Sequence, residues 1–274
     1  MKFTPKKLPV ALTGIFASVI SCISAVPLGL LSDIKPSQAE PEFSYGGYTN
    51  PTNWNELSTN WAICESGTQQ SPIDIKTSSL GNVAGSILTP ANIQFNYQSL
   101  TNFVVQNNGH TIQVNYPYPS GTSTMTVDGE TYQLVQFHLH TDSEHKIDGE
   151  AAALELHLVH QNSQGKLAVV GVMIENGAIN NDLQTVFASM PKEEGTKTAM
   201  GTINASNFLP ANRSYYGYQG SLTTPPCSEG VKWIVLKNPI TASQAQIDAF
   251  TNIFQVNARP HQDLNGRTIE LRNQ

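Results

Sequence analysis

Residues 135–141 read "VQFHLHT", an alternation of apolar and polar side chains that marks a β-strand with one face against a core. Successive side chains on a strand point to opposite faces. Gln136, His138 and His140 therefore share one side, and Val135, Phe137 and Leu139 the other. A second alternating run, "ALELHLVH" (153–160), sets Glu155, His157 and Val159 on one face and Leu154, Leu156, Leu158 and His160 on the opposite face. Antiparallel pairing of the two runs is expected to bring His157 beside His138 and His140.

Three neutral imidazoles on a rigid sheet make a zinc site with one tetrahedral position to spare, which is the catalytic rather than the structural arrangement. Each ligand histidine also needs an acceptor on its second ring nitrogen. Gln136 and Glu155, each two residues from a ligand on the same face, are the expected acceptors. The plainer reading of His-x-His on a strand is a polar stripe facing solvent, because the motif is short; His157 beside a glutamate favours the metal. Of the chain's seven histidines, three fall within residues 136–145, "QFHLHTDSEH". His145 reads as structural, hydrogen-bonded near Glu155; His160, on the leucine face, as a satisfied buried residue; and His261, in "RPHQD", as exposed and inert.

Elsewhere, short runs rich in Val, Ile, Thr, Tyr and Phe recur between Gly, Asn, Pro and Ser clusters: "NIQFNY" (92–97), "TIQVNY" (111–116) and "TMTVDG" (124–129). Two continuous apolar runs, "LAVVGVMIE" (167–175) and "VKWIVL" (231–236), fit strands buried on both faces at the centre of a large sheet. Helices are few. The best candidate is "TASQAQIDAFTNIF" (241–254), with Thr241 and Gln244 as a capping box and Ile247, Phe250 and Phe254 on one face. The expected fold is mainly β (α+β): a single domain on a large, mostly antiparallel central sheet with a few short peripheral helices.

Lys2, Lys6 and Lys7 precede an apolar run from Leu8 to Leu31 and the triplet Ser37-Gln38-Ala39, which reads as a secretory signal over residues 1–39 cleaved after Ala39, leaving a domain over 40–274. Two other readings stand beside it, an uncleaved membrane anchor and a lipid anchor through Cys22. Apolar residues continuing past Cys22 weigh against the second. Without residues 1–39 the chain keeps 11 of its 15 Lys and Arg and 20 of its 21 Asp and Glu, a net charge of −9. That balance disfavours non-specific nucleic-acid binding and attraction to anionic membranes. Cys64 and Cys227 are then the remaining cysteines. In an exported protein they suggest one disulfide; two zinc thiolates are the rival reading, against which the lack of Cys-x-x-Cys spacing counts.

At this point the residues resemble the alpha-class carbonic anhydrases, in particular the exported bacterial type. The pattern is carried by Gln136 to His140, Ser143 to His145 and Glu155 to His160, and by "QQSPIDI" (69–75), "NNGH" (107–110), "SLTTPP" (221–226) and "WIVLKNPI" (233–240), in order from about Tyr45 to Arg272. The resemblance implies reversible hydration of carbon dioxide to bicarbonate and a proton by a zinc-bound hydroxide. His138, His140 and His157 are the implied zinc ligands, with Gln136 and Glu155 behind them. Thr223 resembles the gatekeeping threonine that donates to a glutamate, here Glu144, and Thr224 beside it is implied to help hold bicarbonate. Val159, Val169, Leu222 and Trp233 resemble the apolar wall for carbon dioxide, and Tyr45, Asn108 and Gln113 the wet side.

His110 resembles the proton shuttle, an exposed imidazole titrating near working pH; read without the family, Asn108-Gly109 is a turn and His110 an ordinary surface residue. Cys64 and Cys227 match the disulfide of exported members. The implied partners are small molecules only, with no nucleic acid and no membrane span once the signal is removed, in a monomer or homodimer found in the periplasm or outside the cell. Two positions depart from the pattern: Ala258 stands where many members carry tryptophan, and Asp142 where proline or glycine precedes Ser-Glu-His. A zinc-free module used for binding or adhesion is the competing class, and it would have lost ligand histidines that are all present here. A zinc esterase activity could coexist at the same site.

Overall fold

Alternation along "VQFHLHT" and "ALELHLVH" becomes two long neighbouring strands in the computed structural model, which describes residues 40–80, 89, 90 and 92–274. The proposed signal segment lies outside the described residues. Nine strands set the frame: β1 (Val104–Asn107), β2 (Ile112–Asn115), β3 (Glu130–His140), β4 (Leu154–Gln161), β5 (Leu167–Asn176), β6 (Gly195–Thr198), β7 (Tyr215–Ser221), β8 (Glu229–Leu236) and β9 (Glu270–Asn273). They lie in the order β6-β1-β2-β3-β4-β5-β8-β7-β9 within one 13-stranded sheet. The neighbours pair antiparallel except β5 with β8, and a further short strand, Ile240–Ala242, also runs parallel to β5. The large, mostly antiparallel sheet and its few short helices agree with the sequence reading.

The two continuous apolar runs sit side by side as β5 and β8 in the middle of the sheet. Val170, Val172 and Ile174 of β5 enter the larger core with Phe137, Leu139, Leu156 and Leu158. Val169 and Met173 enter a second core on the other face with Tyr218, Trp233 and Val235. Burial on both sides is why neither run alternates.

Two local expectations are corrected. Register shifts between Val159 and His160, so that Gln136 faces Val159 while Leu134 faces His160. Val135 is the extra residue of this bulge: it leaves the core face and is 41% exposed, while Leu134 takes its place inside. The C-terminal helix is shorter than expected, Gln244–Thr251, and its capping box is Ser243 with Gln246 rather than Thr241 with Gln244. Thr241 instead belongs to the strand Ile240–Ala242, whose pairing with β5 holds it extended.

Cys64 and Cys227 form a disulfide across 163 residues, which excludes the thiolate reading of that pair. Phe43, Trp54, Trp61 and Tyr45 gather around it in a third apolar cluster.

His160 is fully buried with its Nε2 on the Tyr97 hydroxyl at 2.7 Å. Burial pushes its pKa down from 6.5 to about 4. Below pH 6.5 the unfolded chain takes up a proton that the native chain refuses until about pH 4, so this residue's share of stability is intact above 6.5 and is lost on acidification through that window. Acid denaturation should therefore be less steep between pH 6.5 and 4 in His160→Gln, by about 3 kcal/mol over the whole range. Urea unfolding at several pH values measures it, and an equal pH dependence in both proteins would exclude the effect.

Candidate metal centre

Register alone assembles the site. In the β3–β4 pairing His138 is opposite His157 and His140 is opposite Glu155, so three imidazoles occupy one patch of the sheet. Their ring centroids are 5.0, 5.2 and 4.6 Å apart, and one nitrogen from each falls within 4.8 Å of the others. The outward nitrogens are engaged: His138 Nδ1 donates to Gln136 Oε1 at 2.8 Å, His140 Nδ1 to the Asn257 carbonyl at 2.7 Å, and His157 Nε2 to Glu155 Oε1 at 3.0 Å. That fixes the tautomers, leaving Nε2 of His138, Nε2 of His140 and Nδ1 of His157 to face one another as lone-pair donors.

Burial pushes all three imidazoles toward the neutral form, His140 down to about 4. Neutral imidazole is the form that binds a metal. Among the described residues, buried His140 Nε2 has no hydrogen-bond partner, and 3.6 Å away Glu144 Oε2 is buried and equally unpartnered. Two buried polar atoms left unpartnered 3.6 Å apart cost free energy unless another group satisfies them. An all-nitrogen donor set of three imidazoles suits zinc.

Glu155 is held by His145 as well as His157. His145 gives it both a ring N–H and its backbone N–H, each at 2.8 Å, while Tyr218 donates to the other His145 nitrogen at 2.7 Å. Burial opposes the charge on Glu155, but His145 and His157 outweigh it and hold the carboxyl well below its usual range. Its place depends on Gly171, opposite His157 in β5, because a Cβ there would come within 2.6 Å of Glu155 Oε1.

Glu144 accepts the backbone N–H of Arg259 at 2.9 Å. Burial pushes its carboxyl up to about 7, against the neighbouring His157, that N–H and the nearby Thr223 hydroxyl. Tyr45 is close enough to feel the Glu144 charge, which adds to burial in raising its phenol. Val169 and Trp233, with half-buried Val159 and Leu222, belong to a single apolar cluster, and Trp233 packs at 4.9 Å from the His157 ring. Leu222 and Thr224 stand in a turn fastened by Leu222 N–H to Ser228 and Cys227 N–H to the Thr224 carbonyl.

Gln113 is opposite His138 in β2 and donates to Asn115 at 2.8 Å. Asn108 turns inward to cap the Asn108–Thr111 turn, accepting from the N–H groups of His110 and Thr111. His110 lies at the edge of this region and corrects the expectation of an exposed imidazole: it is half-buried and stacked on Phe43, and burial lowers its pKa from the usual value. His145 takes the structural position expected of it and His261 is exposed; His160 is buried as expected but only half satisfied, because its Nδ1 has no hydrogen-bond partner among the described residues.

Sequence reasoning missed Asn257, Arg259 and Phe43. Asn257 is buried; beyond its carbonyl on His140, its side chain accepts from Thr141 N–H and donates to the His110 and Leu139 carbonyls. No spacing rule links residue 257 to 140. The buried Arg259 guanidinium ties Gln70, Ser71 and the Cys64 carbonyl together.

A large sheet presenting three clustered histidines, backed by a carboxamide, a carboxylate and a main-chain carbonyl, is a donor set that could hold one metal ion. Comparison makes this narrower. The family model "Eukaryotic-type carbonic anhydrase" matches residues 49–273. A carbonic anhydrase of Nostoc sp. is 41% identical over 237 residues, covering 85% of this chain and 88% of the relative, and one of Pectobacterium carotovorum is 41% identical over 229 residues, covering 83% and 89%. The alpha-carbonic anhydrase of Thermovibrio ammonificans, solved with the inhibitor sulfanilamide, superposes with a TM-score of 0.76 at 38% identity, covering 84% of this chain and 98% of that one. The chain belongs to the eukaryotic-type, or alpha, carbonic anhydrase family, whose members are lyases that hydrate carbon dioxide.

Replacing an acceptor behind one of these imidazoles should weaken any metal binding there without removing an imidazole. Glu155→Gln and Gln136→Ala are each expected to weaken zinc binding about 10- to 100-fold, read by competition with a chromogenic chelator. Wild-type affinity in both would mean that these acceptors do not orient the imidazoles.

Proposed function

We propose that His138, His140 and His157 hold zinc and that the site hydrates carbon dioxide to bicarbonate and a proton, with His110 carrying the proton out. The single observation behind this is the convergence of three neutral imidazole nitrogens whose partner nitrogens are already occupied. When bound, zinc supplies a Lewis acid that brings the pKa of water to about 7, a magnitude characteristic of carbonic anhydrases themselves rather than one obtained from this chain.

The protein's own groups do the rest. An ionised Glu144 can only accept, so the Thr223 hydroxyl donates to it and turns a lone pair toward the reacting water, fixing which way that oxygen points. Carbon dioxide, which is apolar, rests against Val159, Val169, Leu222 and Trp233, close to the nucleophile. Thr224 holds the bicarbonate that forms. On the opposite side Tyr45, Asn108 and Gln113 keep ordered water between the centre and His110. The His110 imidazole takes up the released proton and passes it to buffer.

The same reading places residues 1–39 as an export signal cleaved after Ala39, with the mature enzyme, Glu40 onward, in the periplasm or outside the cell. In support, residues 40–274 form one compact unit, a disulfide suits an oxidising compartment, and among the described residues no helix is long and apolar enough to cross a membrane.

Stopped-flow hydration assays with metal analysis, on protein beginning at Glu40, test the reading. His138→Ala should lose zinc and activity together; full activity in a metal-free variant would reject the centre. His110→Ala should slow turnover by up to about 100-fold while retaining zinc, and imidazole should restore part of the rate. Unaltered turnover in that variant would pass the shuttle to another group.

A further inference from the structure

The main chain of His110 is fastened on both sides: Asn108 accepts its N–H at 3.1 Å and the Asn257 amide donates to its carbonyl at 3.0 Å. Only the side chain is left to be placed. Phe43 lies flat against the imidazole, with ring centroids 3.8 Å apart and planes 8° from parallel. Glu194 comes immediately before β6, where Gly195 is opposite Asn107 of β1. Its carboxylate rests over Gly109, since a Cβ there would come within 2.7 Å of Glu194 Oε1. Gly109 also has a φ of +83°, so any side chain at this position would be strained and would have to displace the Glu194 carboxylate. Glu42, next to Phe43 in sequence, and Glu194 are the charged groups acting on the ring; burial lowers the imidazole's pKa and both carboxylates oppose that fall.

We propose that Glu194 and Glu42 select the base to which His110 delivers its proton, favouring neutral amine-type acceptors such as imidazole over polyanionic ones such as phosphate. The inference rests on His110 being the shuttle. Delivery requires an acceptor within hydrogen-bond reach of the imidazolium. A phosphate dianion approaching that point meets two carboxylates, whose repulsion reaches over a Debye length of about 8 Å in physiological salt. A neutral base meets no such barrier. It takes the imidazolium proton, leaving His110 neutral, and departs as a cation. Glu194 is thus a positioning residue that acts through the shuttle.

The test uses zinc-loaded enzyme from Glu40 onward as wild type, Glu194→Gln, Glu194→Lys and His110→Ala. Turnover is measured against imidazole and against inorganic phosphate at low ionic strength, and the His110 ring is titrated by NMR. In Glu194→Lys the ratio of the phosphate to the imidazole rate constant should rise about two- to fivefold, with Glu194→Gln in between, and His110 should titrate lower in both. An unchanged ratio overturns the selection whatever the titration does. An unmoved titration overturns it too, because the charge then does not reach the ring. If His110→Ala keeps full turnover in weak buffer, the shuttle reading has itself failed; if it is slow while the ratio stays constant, only the acceptor selection has.

Discussion

Everything at the centre depends on the pairing of β3 with β4. Placing His138 opposite His157 fixes the distances among the three imidazoles through main-chain hydrogen bonds rather than through flexible side chains. A slip of one residue would turn every imidazole of one strand into the leucine-rich core and every leucine out. The hydrophobic effect that buries Phe137, Leu139, Leu156 and Leu158 on one face therefore specifies the chemistry on the other. The bulge at Val135 belongs to the same constraint: it absorbs a mismatch beyond the histidines, so the register of the histidine-bearing end is undisturbed.

A second layer of constraint is electrostatic. Glu144 and Glu155 are both fully buried, yet their environments push them in opposite directions. Glu155 is saturated with donors from two histidines and stays charged as a fixed acceptor. Glu144 accepts the Arg259 N–H, stands beside the Thr223 hydroxyl, and has a buried Oε2 with no hydrogen-bond partner among the described residues. A saturated carboxylate can orient a ligand, whereas an unsaturated one keeps capacity for a group that arrives with substrate.

How much of this was written in the primary structure depends on range. The strands, their faces and the grouping of His138, His140 and His157 could be read from period-two alternation, because each is a local property of a short run. The acceptors Gln136 and Glu155 were legible for the same reason, standing two residues from their ligands. Asn257 was not: its contact with His140 joins residues 117 positions apart, and an asparagine before Ala-Arg-Pro carries no signal of its own. Thr241 and Ser243 show the limit at short range. Both can cap a helix, and the choice between them was made by the pairing of Ile240–Ala242 with β5, which is a tertiary contact. The roles of Thr223, Thr224 and His110 came from family likeness rather than from pattern.

The connection through Asn257 also bears on biosynthesis. Chains leave the ribosome N-terminus first, and β3 and β4 can pair as soon as residue 161 has emerged, with their histidines already aligned. At that moment His140 lacks its carbonyl partner, Glu144 lacks the Arg259 amide, and Cys64 has no Cys227. All three reach their places within the last 50 residues, so the C-terminal segment acts as a closing stitch. Until it is drawn tight the nascent polypeptide holds a half-built centre, and the carbonyl that orients His140 belongs to the finished molecule alone.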